Sequence, residues 1–589
     1  MRALLKQFIS FPESPLRLLA SWFLGCAVFE VLRTQNILLG WSFALLVAVL
    51  FVAFTVLGQY LPFPRFTTTT LAVCTVLYAM VLVISRTQTD SFALFTLILF
   101  AVGVVLFPLL RREEHSLLPF SFPKKLCIGL CIAAAVWCGL VIGCITCLRY
   151  LTFSSPNFDF GIFCQMFHNM SKTGLPTVTC ERDMLLSHFA VHISPIYYTI
   201  LPFYMLFPTP LTLQVAQAVV LAIGIWPLCL LARHYKLSYA VTTAVATLYA
   251  LYPAISTGTY YDIHENCFLP TLLLWLFLCY EKQRYGFMAL CAVLVLSVKE
   301  DAAVYLLFFT IYLLLARRDI RRGLPLLLGT VVYFATAVFM LKQFGTGAMF
   351  GRYEDMLNGH AVTGGFLGTL LRDPAYLFDI IVKPTDLSQK LIWLFEVLLP
   401  FGVLLWTPRG KFSRLLLLLP LLLNLLTHYG YQFNINYQYS FGTLPFLFYL
   451  LVQNTADHTP KYRRKHLVFG VITAGLMYCM LVLPTLTHYI DGYATQRETF
   501  RQMEEILDTV PDNVSVTAST VLLPHLAQRE IIYEDFYHEG DPNTEYVVLD
   551  MRPSFLNQST SYYVNCVGLG YTVLTPEDSI IAILKAPEQ

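Results

Sequence analysis

The chain has 589 residues, 57% of them hydrophobic and only 13% charged, with a mean hydropathy of +0.63. Soluble domains carry roughly 25% charged residues, so a soluble protein is excluded and a polytopic membrane protein is indicated. The net charge of +2 gives no reason to expect a nucleic-acid partner; the informative quantity is where the basic residues lie.

Met1 to Pro15 is mixed and weakly basic, without the apolar core and small-residue cleavage site of a signal peptide. Runs of about 17 to 25 apolar residues can cross a bilayer. Candidates fall near 18–33, 37–58, 69–85, 91–110, 126–148, 210–232, 239–256, 267–280, 286–299, 302–316, 323–342, 391–407, 413–428, 439–453 and 466–487. Cys26, Cys127, Cys131, Cys138 and Cys144 sit inside these runs and act as small hydrophobes. Cys164 and Cys180 share one polar loop, where they either pair or stand as free thiols.

Basic residues test this threading. They cluster at Arg111-Arg112 with Lys124-Lys125, at Arg233 and Lys236, at Lys282 and Arg284, and at Arg317-Arg318 with Arg321-Arg322. Further clusters stand at Arg409, Lys411 and Arg414, and at Lys461 with Arg463-Arg464-Lys465. All fall on one side, which the positive-inside rule makes the cytoplasm. The expected protein is a multi-pass cell-membrane protein in a lipid bilayer, with a cytoplasmic N-terminus and an extracytoplasmic C-terminal segment. Lys299-Glu300-Asp301 must then be a turn on the outer side.

That side also receives the polar, aromatic-rich segments 150–209, 257–266, 343–390, 429–438 and the tail from His488. Ile196 to Phe207 is apolar but too short to cross, and reads as a helix in the membrane interface. The glycine-rich 343–390 reads as a mobile loop. In the tail, Gln496 to Thr509 has helical spacing, Val514 to Thr517 is strand-like and Leu522 to Ala527 is a short helix. Tyr546 to Leu549 and Ile580 to Leu584 read as buried strands, which together predict a small α/β domain.

Polar residues at the outer helix ends suggest a wet cavity, since ionisable groups at membrane depth are costly. Asp159, in Ser154-Ser155-Pro156-Asn157-Phe158-Asp159-Phe160, is either a turn carboxylate starting the next helix or a functional acid. His188 and His192, spaced i,i+4, are either a metal-binding pair or structural histidines. Tyr261-Asp262-Ile263-His264-Glu265-Asn266 is either a solvated turn or part of a site, and Lys299-Glu300-Asp301 either a charge-balanced turn or a phosphate clamp. The tyrosines of 429–439 form an aromatic belt or line a sugar or head-group site.

These residues together resemble a group of bacterial and archaeal predicted membrane proteins marked by an FDFGIFxQ-type first outer loop, an HxSPI segment, a DxH loop and a KED turn. Here the motifs are Phe158-Asp159-Phe160-Gly161-Ile162-Phe163-Cys164-Gln165, His192-Ile193-Ser194-Pro195-Ile196, Asp262-Ile263-His264 and Lys299-Glu300-Asp301. Pro511 to Arg529, with Pro524-His525-Leu526, fits the same group, so the resemblance covers roughly 150 to 589. That group in turn looks like the GT-C superfamily of glycosyltransferases, which take a sugar from a polyprenyl-phosphate donor outside the cytoplasm.

The resemblance implies an all-α polytopic fold of about 13–16 transmembrane helices with a small C-terminal α/β extracytoplasmic domain. Residues 1–149 would be N-terminal transmembrane helices, 150–487 the GT-C-like core and 488–589 the outer domain. It implies a transferase that moves a sugar to an extracytoplasmic acceptor (an envelope glycan, lipid or protein), with Asp159 as catalytic base. Lys299, His264, His192, Gln165 and Tyr437 would bind substrate or phosphate. Asp262, Glu265, Glu300 and Asp301 are candidate ligands for a divalent cation, magnesium or manganese. Two departures stand out: Phe160 occupies the place of a second acidic residue, and four or five helices precede the loop where the superfamily has one. The alternatives are a transporter or flippase of a lipid-linked or charged substrate, and a non-catalytic envelope scaffold.

Overall fold

The computed structural model describes residues 13–34, 42–60, 66–85, 122–346, 365–538, 540, 542–576 and 578–587. The span expected near 91–110, the basic pair Arg111-Arg112 and residues 347–364 of the glycine-rich segment lie outside these.

The described residues form two units. The first holds helices Glu13–Thr34, Ser42–Tyr60 and Phe66–Ser85 and most of Pro460–Leu481. Its core gathers Phe23, Cys26, Leu71, Cys74 and Tyr78, and Arg17 Nε donates to Thr67 Oγ1 at 3.1 Å.

The second unit, 122–458 with 481–589, is mainly helical. Apolar runs become helices because hydrocarbon offers no partner for a backbone N–H or C=O, so each must be met within its own segment. Hydroxyls follow the same rule: Thr146 donates to Ile142 O and Thr243 to Tyr239 O, both at 3.0 Å. Among the described residues, five helices are long and apolar enough to cross a membrane: Lys124–Leu151, Pro210–His234, Ile320–Phe344, Pro384–Trp406 and Tyr462–Leu507. Shorter apolar helices, among them Tyr239–Ala250, Tyr285–Leu296 and Ala302–Ala316, lie between them. Gly139 and Gly143 bring Lys124–Leu151 against Ala222 and Ala218 of Pro210–Ile223, the small-residue spacing by which membrane helices approach closely.

Lys299-Glu300-Asp301 is a turn between Tyr285–Leu296 and Ala302–Ile311. The short apolar segment forms a 3-10 turn, Pro195–Thr199, and the helix Leu201–Leu206, which leaves Phe203, Met205 and Leu206 exposed. The expected mobile loop 343–390 is corrected in its described part: Gly365–Arg372, Pro374–Val382 and Pro384–Leu398 are helices. The start signals were present, since Asp373 accepts from Tyr376 N at 3.2 Å and Pro374 and Pro384 occupy first-turn positions where a missing N–H costs nothing.

Between Lys124–Leu151 and the short apolar segment lie a turn at Asn157–Gly161, the helix Ile162–Thr173 and a small hairpin. In the hairpin β1 (Thr177–Val178) pairs antiparallel with β2 (Leu186–Ser187). Helix Leu483–Leu507 bends at Gln496, so the helix expected from 496 is the second half of a longer one. Beyond it come β3 (Val516–Ala518), β4 (Ile532–Glu534), β5 (Tyr546–Asp550), β6 (Thr572–Val573) and β7 (Ile581–Lys585). Their order in the sheet is β4-β3-β5-β7-β6. Strands β3, β4 and β5 run parallel, with β7 antiparallel to β5 and to β6. Helix Leu556–Gly568, unmarked in the sequence reading, packs Cys566 against Val547, Leu549 and Leu584.

Candidate functional site

The site is built where helix Lys124–Leu151 ends. Arg149 reaches Asp262 at 3.1 Å, and the same carboxylate accepts from Ser155 Oγ at 2.9 Å and from Gln214 Nε2 at 2.7 Å. Asp262 has a φ of 68°, left-handed backbone that a non-glycine residue holds only at a cost on the order of 1–3 kcal/mol. The cation and two donors that fix its side chain offset that cost. Asp262 is thereby a clamp: it ties the DIHE loop to the helix end and delivers His264 and Glu265 beside Asp159.

Asp159 sits in the Asn157–Gly161 turn with 26% of its side chain exposed and His264 Nε2 at 3.9 Å from Oδ2. Its carboxylate accepts no hydrogen bond, and helix Ile162–Thr173 has no side-chain cap, so Asp159 does not cap that helix through its side chain. Burial pushes its pKa up and the charge of Glu265 adds to this, while Lys299 offsets part; the carboxyl rises from 3.8 to about 6.

Glu265 is the buried hub behind it. Lys299 Nζ lies 2.9 Å from Oε1, His264 Nδ1 lies 3.1 Å from Oε2, and Tyr197 donates to Oε2 at 2.8 Å. Burial opposes its ionisation, but His264, Lys299 and His192 outweigh burial and hold the pKa well below the usual carboxylate range. Lys299, only 1% exposed, therefore stands behind the cavity wall. Glu300 lies 3.1 Å from His192 Nδ1 and accepts from Ile193 N at 2.9 Å; burial raises its pKa. Glu181 lies 2.8 Å from His188 Nδ1.

Beside them lies a cavity of about 280 Å³. Its polar lining includes Asp159, Glu181, Arg182, His188, His192 and His264. Tyr261, Tyr429, Tyr431, Tyr437 and Tyr439, with Gln438, also line it. Tyr437 lies 5.4 Å from Tyr261 and 4.5 Å from Tyr431 between ring centres. Asp159, His264, His192 and Tyr437 thus converge on one space, as the sequence grouped them. Gln165 does not line it: it is fully buried and bonds Thr179 N at 2.8 Å and Glu530 O at 2.9 Å.

The cation ligands expected from the sequence do not converge either. Asp262 is spent on Arg149, Ser155 and Gln214, Glu265 on Lys299 and Tyr197, and Glu300 on His192 and Ile193; Asp301 heads helix Ala302–Ile311. Among the described residues no group of three or more His, Cys, Asp or Glu is arranged to hold a metal ion. Cys164 and Cys180 are separate buried thiols.

The tail sheet is docked on the Asp159 turn. Asn157 N donates to Thr520 Oγ1 at 3.2 Å, and Asn157 Nδ2 to Glu534 Oε2 at 2.7 Å. At Gly161 a Cβ would meet Leu523 Cδ2 at 2.6 Å and Asn157 Oδ1 at 2.7 Å. The His525 ring stacks on Tyr150 and Phe153 at 4.1 and 3.9 Å. Asp183 lies 2.6 Å from His538 Nδ1, and this pair fastens the left-handed pair Arg182 (φ 63°) and Asp183 (φ 54°) at the cavity rim. Two residues either side of Asp159 are therefore held by residues more than 350 positions later.

No curated protein matches this chain. The crystal structure of ArnT from Cupriavidus metallidurans bound to undecaprenyl phosphate is similar at a TM-score of 0.48 and 13% identity, covering 79% of this chain and 100% of that chain. The predicted membrane protein family DUF2079 matches residues 149–565, from Arg149 through the Asp159 turn to helix Leu556–Gly568, and the chain belongs to that family.

Proposed function

We propose that this protein is a membrane glycosyltransferase moving a sugar from a polyprenyl-phosphate donor to an extracytoplasmic acceptor, with Asp159 as general base. One observation carries the reading: a carboxylate with no hydrogen bond and a pKa of about 6 lines a cavity that five tyrosines also line. A base poised near the working pH is suited to take a proton in the transition state, and aromatic faces suit the C–H face of a sugar ring.

In the reaction the acceptor oxygen attacks the anomeric carbon while Asp159 takes the hydroxyl proton. The bond from that carbon to the phosphate oxygen breaks, and its electron pair leaves with the polyprenyl phosphate. Inversion at the sugar carbon follows from a single displacement. Glu265, neutralised by Lys299, holds His264 beside the base rather than touching substrate. The exposed Phe203, Met205 and Leu206 would sit in the bilayer surface and guide the lipid.

Transport without chemistry needs a path through the bundle. At the opposite end, Arg317 pairs with Glu281 at 3.5 Å and Arg414 with Asp457 at 2.6 Å, while Tyr312 donates to Gln453 at 3.1 Å. Charges paired with one another at that end favour a one-sided site. The test is transfer from labelled polyprenyl-phosphate sugars in membranes of cells lacking other such transferases. Asp159→Asn should lose at least about a hundredfold of the rate with unchanged membrane insertion; wild-type activity in that variant would overturn the assignment.

A further inference from the structure

The proposed reaction leaves a growing phosphate charge to be met, and Lys299 stands behind the wall, engaged with Glu265. Among the described residues, His188 is a cavity histidine with a ring nitrogen that has no partner. His188 is 2% exposed and lines the cavity; its Nδ1 is taken by Glu181 at 2.8 Å and its buried Nε2 has no hydrogen-bond partner. A buried ring nitrogen left unsatisfied carries a desolvation cost, which a ligand atom would remove.

We infer that His188 is an anion-binding residue of the cavity, its Nε2–H donating to a phosphate oxygen, with Arg182 at the rim as the second cation. The identity of the phosphate's carrier, a lipid, rests on the glycosyltransferase reading; the subsite itself does not.

A phosphate needs a donor, and a carboxylate on Nδ1 is the arrangement that keeps an imidazole protonated on both nitrogens. Burial acts against the cation, but Glu181 outweighs it and raises the pKa, with Glu265 adding to the effect and Lys299 opposing it. The charged or titratable groups around the ring are Glu181, Glu265 and Lys299, with His192 at 6.1 Å between ring centres and Asp159 and Arg182 also lining the cavity. The aromatic neighbours Phe163 at 5.5 Å and Tyr197 at 6.4 Å exclude water from the ring's flank. A metal ligand of the same design would need two further donors around one point, and the described residues provide no such group.

The experiment measures binding of farnesyl phosphate, farnesol and inorganic phosphate to the full chain in lipid nanodiscs. Wild type should prefer farnesyl phosphate to farnesol by about tenfold or more, the scale of one charge-assisted hydrogen bond. His188→Asn keeps a donor for Glu181 but lacks an atom at the Nε2 position, and should erase the preference with farnesol binding unchanged. An undiminished preference would overturn the inference. If that variant does not fold, Glu181→Gln keeps the ring in place, and it should weaken the preference and move its loss to lower pH; no change in either overturns it too. Competition by inorganic phosphate alone supports the anion subsite with a free phosphate as its ligand. Zinc or manganese retained by wild type and lost in His188→Asn would assign the ring to a metal and refute the anion role. Asp159→Asn separates this from the reaction: it should keep the phosphate preference while transferring nothing, so a transfer failure and a subsite failure read out independently.

Discussion

Asp159 is unusual in what surrounds it rather than in its own chemistry. Its pKa of about 6 lies above the ordinary 3.8 because burial and Glu265 disfavour the anion, and no donor compensates. Two measurements follow from the sign. The rate should fall as pH drops through about 6, because the base is then protonated. Stability runs the other way: ionisation is penalised in the folded state, so the carboxyl's contribution is intact below 3.8 and lost as pH rises through about 6. Asp159→Asn should therefore raise the melting midpoint at pH 7.5 and leave it nearly unchanged at pH 4. A helix-capping carboxylate would give a lower midpoint on the same substitution.

At the scale of the element, the Asn157–Gly161 turn is set from outside itself. Gly161 has no room for a Cβ because Leu523 and Asn157 occupy the space. Gly161→Ala should displace the turn and lower the transfer rate on the order of tenfold to a hundredfold, with substrate affinity little altered. Adding Leu523→Ala should recover part of the loss, and the check is the ratio of rates for the single and double variants. The turn's place at the cavity was legible in the sequence, since an acid between two phenylalanines just after an apolar run lies at a helix end on the polar face. The KED turn and the tyrosine run were legible for the same reason: polar residues at helix ends are costly unless they meet something. What holds the turn was not legible. Many of its fastenings go to backbone atoms, Tyr150 O, Glu530 O and Ile532 O, which no residue type announces. Asp262 misled in the opposite direction: a carboxylate next to His264 looks like a ligand until Arg149, from 113 residues earlier, is seen to claim it.

At the scale of the molecule, apolar periodicity marks most of the helices; the helical stretch 365–390 reads as loop because the glycines before it outweigh the start signals at Asp373, Pro374 and Pro384. Docking between tail and first loop was beyond any local pattern. His525 offers a measure of it. Burial against Tyr150 and Phe153 lowers its pKa from 6.5 to about 3, so the unfolded chain binds the proton first as pH falls. Stability contributed by the neutral ring is complete above 6.5 and declines from there toward about 3. The melting midpoint of the full chain should drop between pH 7 and pH 5, and His525→Phe should flatten that slope while lowering the midpoint at pH 7 through loss of the bond to Tyr150 O.

The 377-residue separation between Asn157 and Glu534 also has a meaning in time. A ribosome makes Asp159 early and Glu534 near the end, so the helices can enter the bilayer long before the turn acquires its fastening. During that interval the acid has neighbours from the DIHE loop but not its final position. If Asp159 is the base, a chain truncated before β3 should insert yet transfer nothing, and competence should arrive only when the tail sheet has folded against the first loop.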